Sequence, residues 1–204
     1  MVIRMKVTDK KSSIIEIFKK NHGYARSKDI VNEGINKAHI VDLLRNGIIQ
    51  KVKRGLYKLT NFDTSNDFIE ITKIIPKAVI CLGSALSYYE LTSYNPIEYH
   101  VAIFREDKVQ LPAYPPIKVF YFSEAQFKIG ITETIIEGVP VKIYDMEKTI
   151  CDCVRYRNKL GKDVLKESIN EYLNKSNRNI PKLLKYGKDL RVIKILEKYL
   201  EVLI

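Results

Sequence analysis

The order of the elements predicted for the first sixty residues is the feature that most constrains this chain. Apolar spacing and flanking Ser, Asn and Gly residues predict three helices there. They cover the residues after Ser12 or Ser13 up to Lys20, residues 28–33 with Ser27 as cap, and residues 37–46 with Asn36 as cap. Two strand-like runs follow, 48–52 and 56–59, joined by the basic turn Lys53-Arg54-Gly55. This is the order of a winged helix-turn-helix.

The third helix of such a domain enters the DNA major groove, and the hairpin, or wing, lies along phosphates. Ile40, Leu43 and Leu44 are predicted to form the buried side of this helix, with Asp42 and Arg45 facing outward. The residues predicted to face DNA are polar or basic: Arg26, Lys28, Asn36, Lys37, His39, Lys51, Lys53 and Arg54. Winged helices also bind proteins, so a protein partner is the alternative for this domain.

The distribution of charge supports a polyanion partner. The 204 residues carry 35 Lys and Arg against 24 Asp and Glu, a net charge of +11. Residues 1–62 hold 14 basic and 5 acidic side chains, so +9 of this excess lies in the first third. The polar run 61–67 is the predicted boundary. We therefore expect a DNA-binding domain over 1–62 and a second domain over 63–204.

The second domain alternates strands and helices. Its predicted strands are 78–82, 99–104, 117–122, 131–136 and 139–144, and its predicted helices are 67–75, 84–90, 146–160, 164–173, 181–186 and 190–200. This pattern predicts a central mixed sheet covered by helices, with a helical C-terminal end. The whole chain is therefore assigned to the α+β class, a winged helix-turn-helix followed by a mixed α/β domain.

Catalytic signatures are mostly missing. Gly83-Ser84 after a strand, with Glu98 on the next strand, partly matches the metal-binding layout of nucleotidyltransferases, but His100 stands where a second carboxylate is required. An ordinary strand-to-helix turn capped by Ser84 is the simpler interpretation. No metal or cofactor motif occurs, and Cys151 and Cys153 are expected to be buried thiols. The start of the chain, Met1 to Lys6, is charged and no apolar run is long enough for a membrane span, so a cytoplasmic protein is expected.

Several motifs of this chain resemble those of antitoxins of the AbiEi family. They are Gly23-Tyr24-Ala25, Gly34-Ile35, residues 43–49, residues 52–57, residues 83–91, and above all Glu147-Lys148-Thr149-Ile150-Cys151-Asp152 with the basic run that follows. The likeness extends over nearly the whole chain. The helix containing Glu147, Lys148, Thr149 and Asp152 is its more specific part.

The resemblance implies a component of a bacterial type IV toxin–antitoxin system, active in abortive infection and phage defence. It implies a non-enzymatic transcriptional autorepressor that binds promoter inverted repeats through the winged helix. Its second domain would counter a nucleotidyltransferase toxin without a stable complex. The motif of Glu147, Lys148, Thr149 and Asp152 either serves this antitoxin role or is a structural pairing at a helix start capped by Asp145. An active or degenerate nucleotidyltransferase, or a ligand-sensing regulator, remains the alternative.

Overall fold

The computed structural model of the protein describes residues 12–62 and 66–203. Two compact units make up the chain: Met1–Ile74 with Gln110–Tyr114, and Ile75–Val109 with Pro115–Ile204. The sequence predicts a boundary after residue 62, and the division after Ile74 differs from it by one helix. The predicted features of residues 1–11, including the charged start of the chain, lie outside the described residues.

In the part of the first unit that the structure describes, there are four helices and one small antiparallel sheet. Its elements are α1 (12–20), β1 (Tyr24–Arg26), α2 (Ser27–Asn32), α3 (Lys37–Arg45), β2 (Ile49–Lys53), β3 (Leu56–Leu59) and α4 (Asp67–Ile74). The strand order is β1-β3-β2, so the predicted hairpin is present and gains β1 as a third strand. The predicted winged helix-turn-helix order of elements is confirmed.

Local sequence accounts for most of these boundaries. The side chain of Asn36 accepts the N–H of Ala38 at 2.9 Å and begins α3, as predicted. The predicted cap of α2 at Ser27 is wrong, because that helix begins at Ser27 with Arg26 in the cap position. The N–H of Ser27 donates instead to the carbonyl of Gly55 at 3.0 Å, extending the strand pairing up to the helix. The carboxylate of Asp29 accepts the N–H of Arg26 at 3.3 Å and satisfies this helix start.

Helix α4 is held to the sheet of the first unit by polar contacts. Glu70 is 4% exposed, and one of its carboxylate oxygens accepts the Tyr24 hydroxyl at 3.0 Å and pairs with Lys58 Nζ at 3.3 Å. The guanidinium of Arg26 donates to the carbonyl of Lys73 in the last turn of α4 at 2.7 Å. A buried carboxylate is costly without such partners. Helix α4 is therefore an integral part of this unit.

The second unit contains a five-stranded mixed sheet and a set of helices. Its elements are β4 (Val79–Ile80), α5 (Leu82–Tyr88), β5 (Tyr99–Phe104), β6 (Ile117–Phe122), α6 (Glu124–Lys128), β7 (Ile131–Ile136), β8 (Val139–Tyr144), α7 (Met146–Arg155), α8 (Arg157–Leu160), α9 (Lys162–Asn174), α10 (Ile180–Asp189) and α11 (Ile193–Leu203). The strand order is β6-β5-β4-β8-β7. β5 and β6 pair in parallel, as do β4 and β8, whereas β4 pairs with β5 and β7 with β8 in antiparallel fashion. The predicted mixed sheet with a helical C-terminal end is confirmed.

The main core of this unit joins one face of the sheet to the helices. Side chains such as Ala102 and Phe122 pack with Leu82, Ile150 and Leu165 from α5, α7 and α9. Each large apolar side chain buried in this way contributes about 1.5–3 kcal/mol relative to an exposed one. The three cysteines are free and buried, which confirms the prediction for Cys151 and Cys153.

Two local predictions for this unit are wrong. The helix predicted over 146–160 is interrupted at Tyr156, whose ring stacks on Phe122 with centroids 5.9 Å apart. Ser84 does not cap α5, because this helix begins at Leu82 with Cys81 in the cap position. Ser84 is instead buried inside the first turn.

Candidate nucleic-acid interface

Helix α3 presents an outer face that differs in part from the predicted one. Ile40 and Leu43 are buried and Leu44 is partly buried, as predicted. The exposed side chains of α3 are Lys37, Ala38, Val41, Asp42 and Arg45. His39 is half-buried beside this face, and Asn36 is exposed at its start. The prediction therefore missed Ala38 and Val41, although a turn of 100° per residue from Ile40 places Val41 outside the buried stripe.

Four of the cations predicted to face DNA are exposed: Lys28, Lys37, Lys51 and Arg54. Lys37 is the first residue of α3, and Lys28 lies in the first turn of α2. Lys51 belongs to the outer strand of the wing, and Arg54 lies in the turn between β2 and β3. These side chains combine long reach with full positive charge, which suits contact with phosphates.

The other two predicted cations point to the opposite side of the small sheet. Arg26 and Lys53 both lie across from Leu56, whereas Lys51 lies across from Tyr57. Paired residues on neighbouring strands share one face, and the successive residues Leu56 and Tyr57 of β3 lie on opposite faces. The bulge between Lys51 and Lys53 therefore places these two side chains on opposite faces of the sheet. The prediction that Arg26 and Lys53 face the same side as Lys51 does not include this separation.

Internal contacts already engage both of these cations. Arg26 donates to the carbonyl of Lys73, and Lys53 Nζ donates to the carbonyl of Gln110 at 3.3 Å. Burial lowers the pKa values of Lys53 and Lys73, and the nearby charge of Arg26 lowers both further. Arg26 and Lys53 therefore lie close together on the α4 side of the sheet, where they stabilise the unit.

The four motif residues of α7 are buried in the second unit. Glu147 is 3% exposed, and Lys148, Thr149 and Asp152 are completely buried. Asp145 caps the helix as predicted, accepting the N–H of Lys148 at 2.8 Å. The motif thus lies at a capped helix start, and its side chains face the interior.

Lys148 and Asp152 form an ion pair one turn apart on α7. The ammonium of Lys148 also lies 4.2 Å from the ring centre of Tyr144 and 4.9 Å from that of Phe122. The second carboxylate oxygen of Asp152 accepts the side-chain amide of Gln126 at 3.4 Å. Burial raises the pKa of Asp152, and the positive charge of Lys148 opposes that rise. The pair is fully enclosed and partnered inside the fold.

Glu147 connects α7 to the turn between α9 and α10. Its Oε1 accepts the hydroxyl of Tyr172 at 3.0 Å and the N–H of Asn179 at 3.2 Å. Lys182 Nζ lies 3.2 Å from its Oε2. Thr149 Oγ1 donates to the carbonyl of Tyr144 at 3.3 Å. All four motif residues therefore hold neighbouring elements together, which corresponds to the structural interpretation of the motif.

The residues of the partial nucleotidyltransferase layout are occupied by contacts within the fold. The Ser84 hydroxyl accepts the backbone N–H of His100 at 2.8 Å, and the N–H of Gly83 donates to His100 Nδ1 at 3.2 Å. A Cβ on Gly83 would lie 3.1 Å from that nitrogen, so close packing explains the glycine. Glu98 is half exposed and pairs with Lys118 at 3.7 Å. This geometry favours the strand-to-helix turn over a nucleotide site.

The three cysteine thiols are unreactive at neutral pH. Burial raises the pKa of Cys151 to about 12 and raises those of Cys81 and Cys153 strongly, so these thiols stay protonated at neutral pH. Within residues 12–62 and 66–203, no three His, Cys, Asp or Glu side chains gather as a metal site would require. No helix in the described part of the chain has the length and apolar character to cross a bilayer.

We expect the stability of the protein to fall below pH 6.5 because of His100. Burial, together with the charge of Lys118, lowers the pKa of His100 from 6.5 to about 4. Between pH 6.5 and about pH 4, His100 is therefore protonated in the unfolded chain but remains neutral in the folded chain. The free energy of unfolding should fall by about 3 kcal/mol over this interval.

The variant His100→Asn tests this expectation, because its side chain retains an acceptor for the Gly83 N–H but does not titrate. Urea unfolding at pH 7, 6, 5 and 4 should give a flatter dependence for His100→Asn than for the natural protein. Parallel curves for the two proteins would assign the acid sensitivity to other groups.

The chain thus combines a winged helix that exposes cations on α3 and on the wing with a separate α/β unit. A family model described as "Transcriptional regulator, AbiEi antitoxin" matches residues 12–60. This match confirms, over the N-terminal region, the resemblance indicated by the sequence motifs. It spans the three helices and the wing described above.

The wider comparisons concern the fold. No curated protein matches the sequence. The crystal structure of the RV2827C protein from Mycobacterium tuberculosis is similar, with a TM-score of 0.51 and 9% sequence identity. The similarity covers 88% of this chain and 75% of that one. At such low identity the likeness describes the architecture alone.

Proposed function

We propose that this chain is the antitoxin and transcriptional autorepressor of a bacterial type IV toxin–antitoxin operon. The observation that carries this proposal is the match of residues 12–60 to AbiEi antitoxin regulators, which coincides with a winged helix exposing cations on α3 and the wing. The first unit binds the promoter of its own operon, and the second unit acts as the antitoxin.

The first unit binds operator DNA through α3 and the wing. α3 enters the major groove, with Lys37 at its N-terminal end and Arg45 about two turns further on. Lys51 and Arg54 of the wing and Lys28 of α2 contact phosphates on either side. Asn36 fixes the start of α3, and His39 lies at the edge of its outer face. Two copies bound to inverted repeats occlude the promoter.

The second unit counters a nucleotidyltransferase toxin without a catalytic step or cofactor of its own. The buried state of Glu147, Lys148, Thr149 and Asp152 supports this view, because these side chains are used within the fold. The antitoxin surface is therefore formed by residues that this motif holds in place. The protein works in the cytoplasm and forms no stable complex with the toxin.

The DNA-binding half of the proposal is tested with the purified full chain and its own upstream DNA. We expect binding to the inverted repeats to be tighter than to scrambled DNA of the same length, and to weaken steeply as salt rises. Equal affinity for both DNAs would reduce the first unit to a nonspecific polyanion binder and would overturn autorepression.

The antitoxin half is tested in cells by inducing the nucleotidyltransferase toxin that the proposal assigns to the same operon. We expect co-expression of the full chain to restore colony formation, with no toxin retained when the tagged chain is purified. Failure to restore growth at normal protein levels would overturn the antitoxin role. It would leave the DNA-binding result standing.

A further inference from the structure

The centre of the outer face of α3 is apolar. Val41 lies at the middle of this nine-residue helix and is 45% exposed, and Ala38 is exposed one turn before it. Lys37 precedes Val41 by four residues and Arg45 follows it by four, so both cations lie on the same ridge, one turn away on either side. An apolar surface thus lies between two positive charges.

Packing within the first unit does not explain Val41. The core of this unit contacts the other side of α3 through Ile40 and Leu43, with Leu44 packed at its margin. An exposed valine lowers helix propensity relative to alanine or lysine, because its branched Cβ is restricted in a helix. A Val at this position is therefore unfavourable for the isolated helix.

The chemistry of DNA offers one apolar group to such a side chain. In the major groove, the C5-methyl of thymine is the apolar feature of the base edges, beside hydrogen-bond donors and acceptors. Phosphates are an unsuitable partner for this part of α3, since Val41 offers no donor and the neighbouring Asp42 is exposed and negatively charged. The cations at both ends favour approach to DNA, and the centre of the face favours a base edge.

We infer that Val41, with Ala38 beside it, contacts the C5-methyl of a thymine in each operator half-site and so helps to determine the sequence that is bound. This inference rests on the proposed operator-binding function. It identifies which base feature the exposed face of α3 selects.

The experiment replaces single thymines in the footprint of the full-length protein by deoxyuridine, which removes only the C5-methyl. We expect one or two positions per half-site at which this replacement weakens binding about fourfold, the effect of exposing one buried carbon. For Val41→Ala, the same replacement should have a clearly smaller effect, because the larger part of the contact is already absent.

A matched control is Val31→Ala, which shortens a valine that is 40% exposed on α2 instead of α3. It should retain the deoxyuridine sensitivity of the natural protein. Two results would overturn the inference and leave operator binding intact. One is specific binding that no deoxyuridine replacement weakens, and the other is an equal effect of deoxyuridine on Val41→Ala and on the natural protein. Absence of specific binding would overturn the proposed function and this inference with it.

Discussion

Replacing Lys148 by alanine is expected to lower the free energy of unfolding of the second unit by about 3–5 kcal/mol. The ammonium of Lys148 is completely buried and pairs with the equally buried Asp152. Its removal leaves the Asp152 carboxylate in an apolar interior, with the Gln126 amide as its remaining hydrogen-bond partner among the contacts described above. The rings of Tyr144 and Phe122 also lose the cation beside them. Urea unfolding followed by circular dichroism measures the change.

Two further variants separate the ion pair from a general effect of shortening a lysine. Lys166→Ala on the exposed side of α9 should change stability by less than about 0.5 kcal/mol. The double variant Lys148→Met with Asp152→Leu removes both charges and should recover much of the loss. If Lys148→Ala proved as mild as Lys166→Ala, the pair would have no structural importance.

Reversing the charge of Lys51 and Arg54 is expected to weaken operator binding at least about 30-fold near 0.15 M salt. Each lost phosphate contact removes one unit of counterion release, so the slope of log affinity against log salt should fall by about two. Both residues are exposed and free of the α4-side contacts that hold Lys53. Toxin rescue should persist, because the second unit is unchanged. Binding titrations over a salt series measure both effects.

The matched control is the pair Lys185→Glu and Lys188→Glu on α10, which changes the net charge equally at exposed positions of the second unit. It should leave the salt slope nearly unchanged. A second comparison is Lys53→Glu, which should reduce affinity less than Lys51→Glu, since Lys53 points to the other side of the sheet. Equal losses from all these variants would mean that overall charge, and not the wing, determines binding.

Local sequence signals were sufficient for the first unit where each element depends on its own residues. Asn36 before α3 and the glycines after α2 and α3 give boundaries close to the observed ones, with Gly47 at a φ of 65°. The two faces of the wing were not foreseen, because Lys51 and Lys53 have the same type and charge. A bulge between them and the pairing with β3 decide their orientation.

In the second unit, the roles of the motif residues could not be predicted from the sequence, because they depend on contacts with residues far away in the chain. The motif of α7 predicts a capped helix, yet its meaning depends on Gln126, Tyr172 and Asn179, which lie up to 32 residues away. Likewise, Gly83 and Ser84 match part of a nucleotidyltransferase layout in the sequence, whereas in the structure both make hydrogen bonds with His100. Helical periodicity alone predicts that Val41 is exposed. The predicted DNA face did not include it, because that face was chosen by charge and polarity.

The attachment of α4 to the small sheet determines which segment of the chain can be exchanged for that of another protein without loss of buried contacts. An exchange of residues 1–62 alone would place an unrelated sheet beside Glu70, and its buried carboxylate would lose the Tyr24 hydroxyl and the Lys58 ammonium. An exchange that continues through Ile74 transfers all three partners together. The segment that can be exchanged intact is therefore the winged helix with α4, and an exchange point between residues 62 and 67 would separate Glu70 from Tyr24 and Lys58.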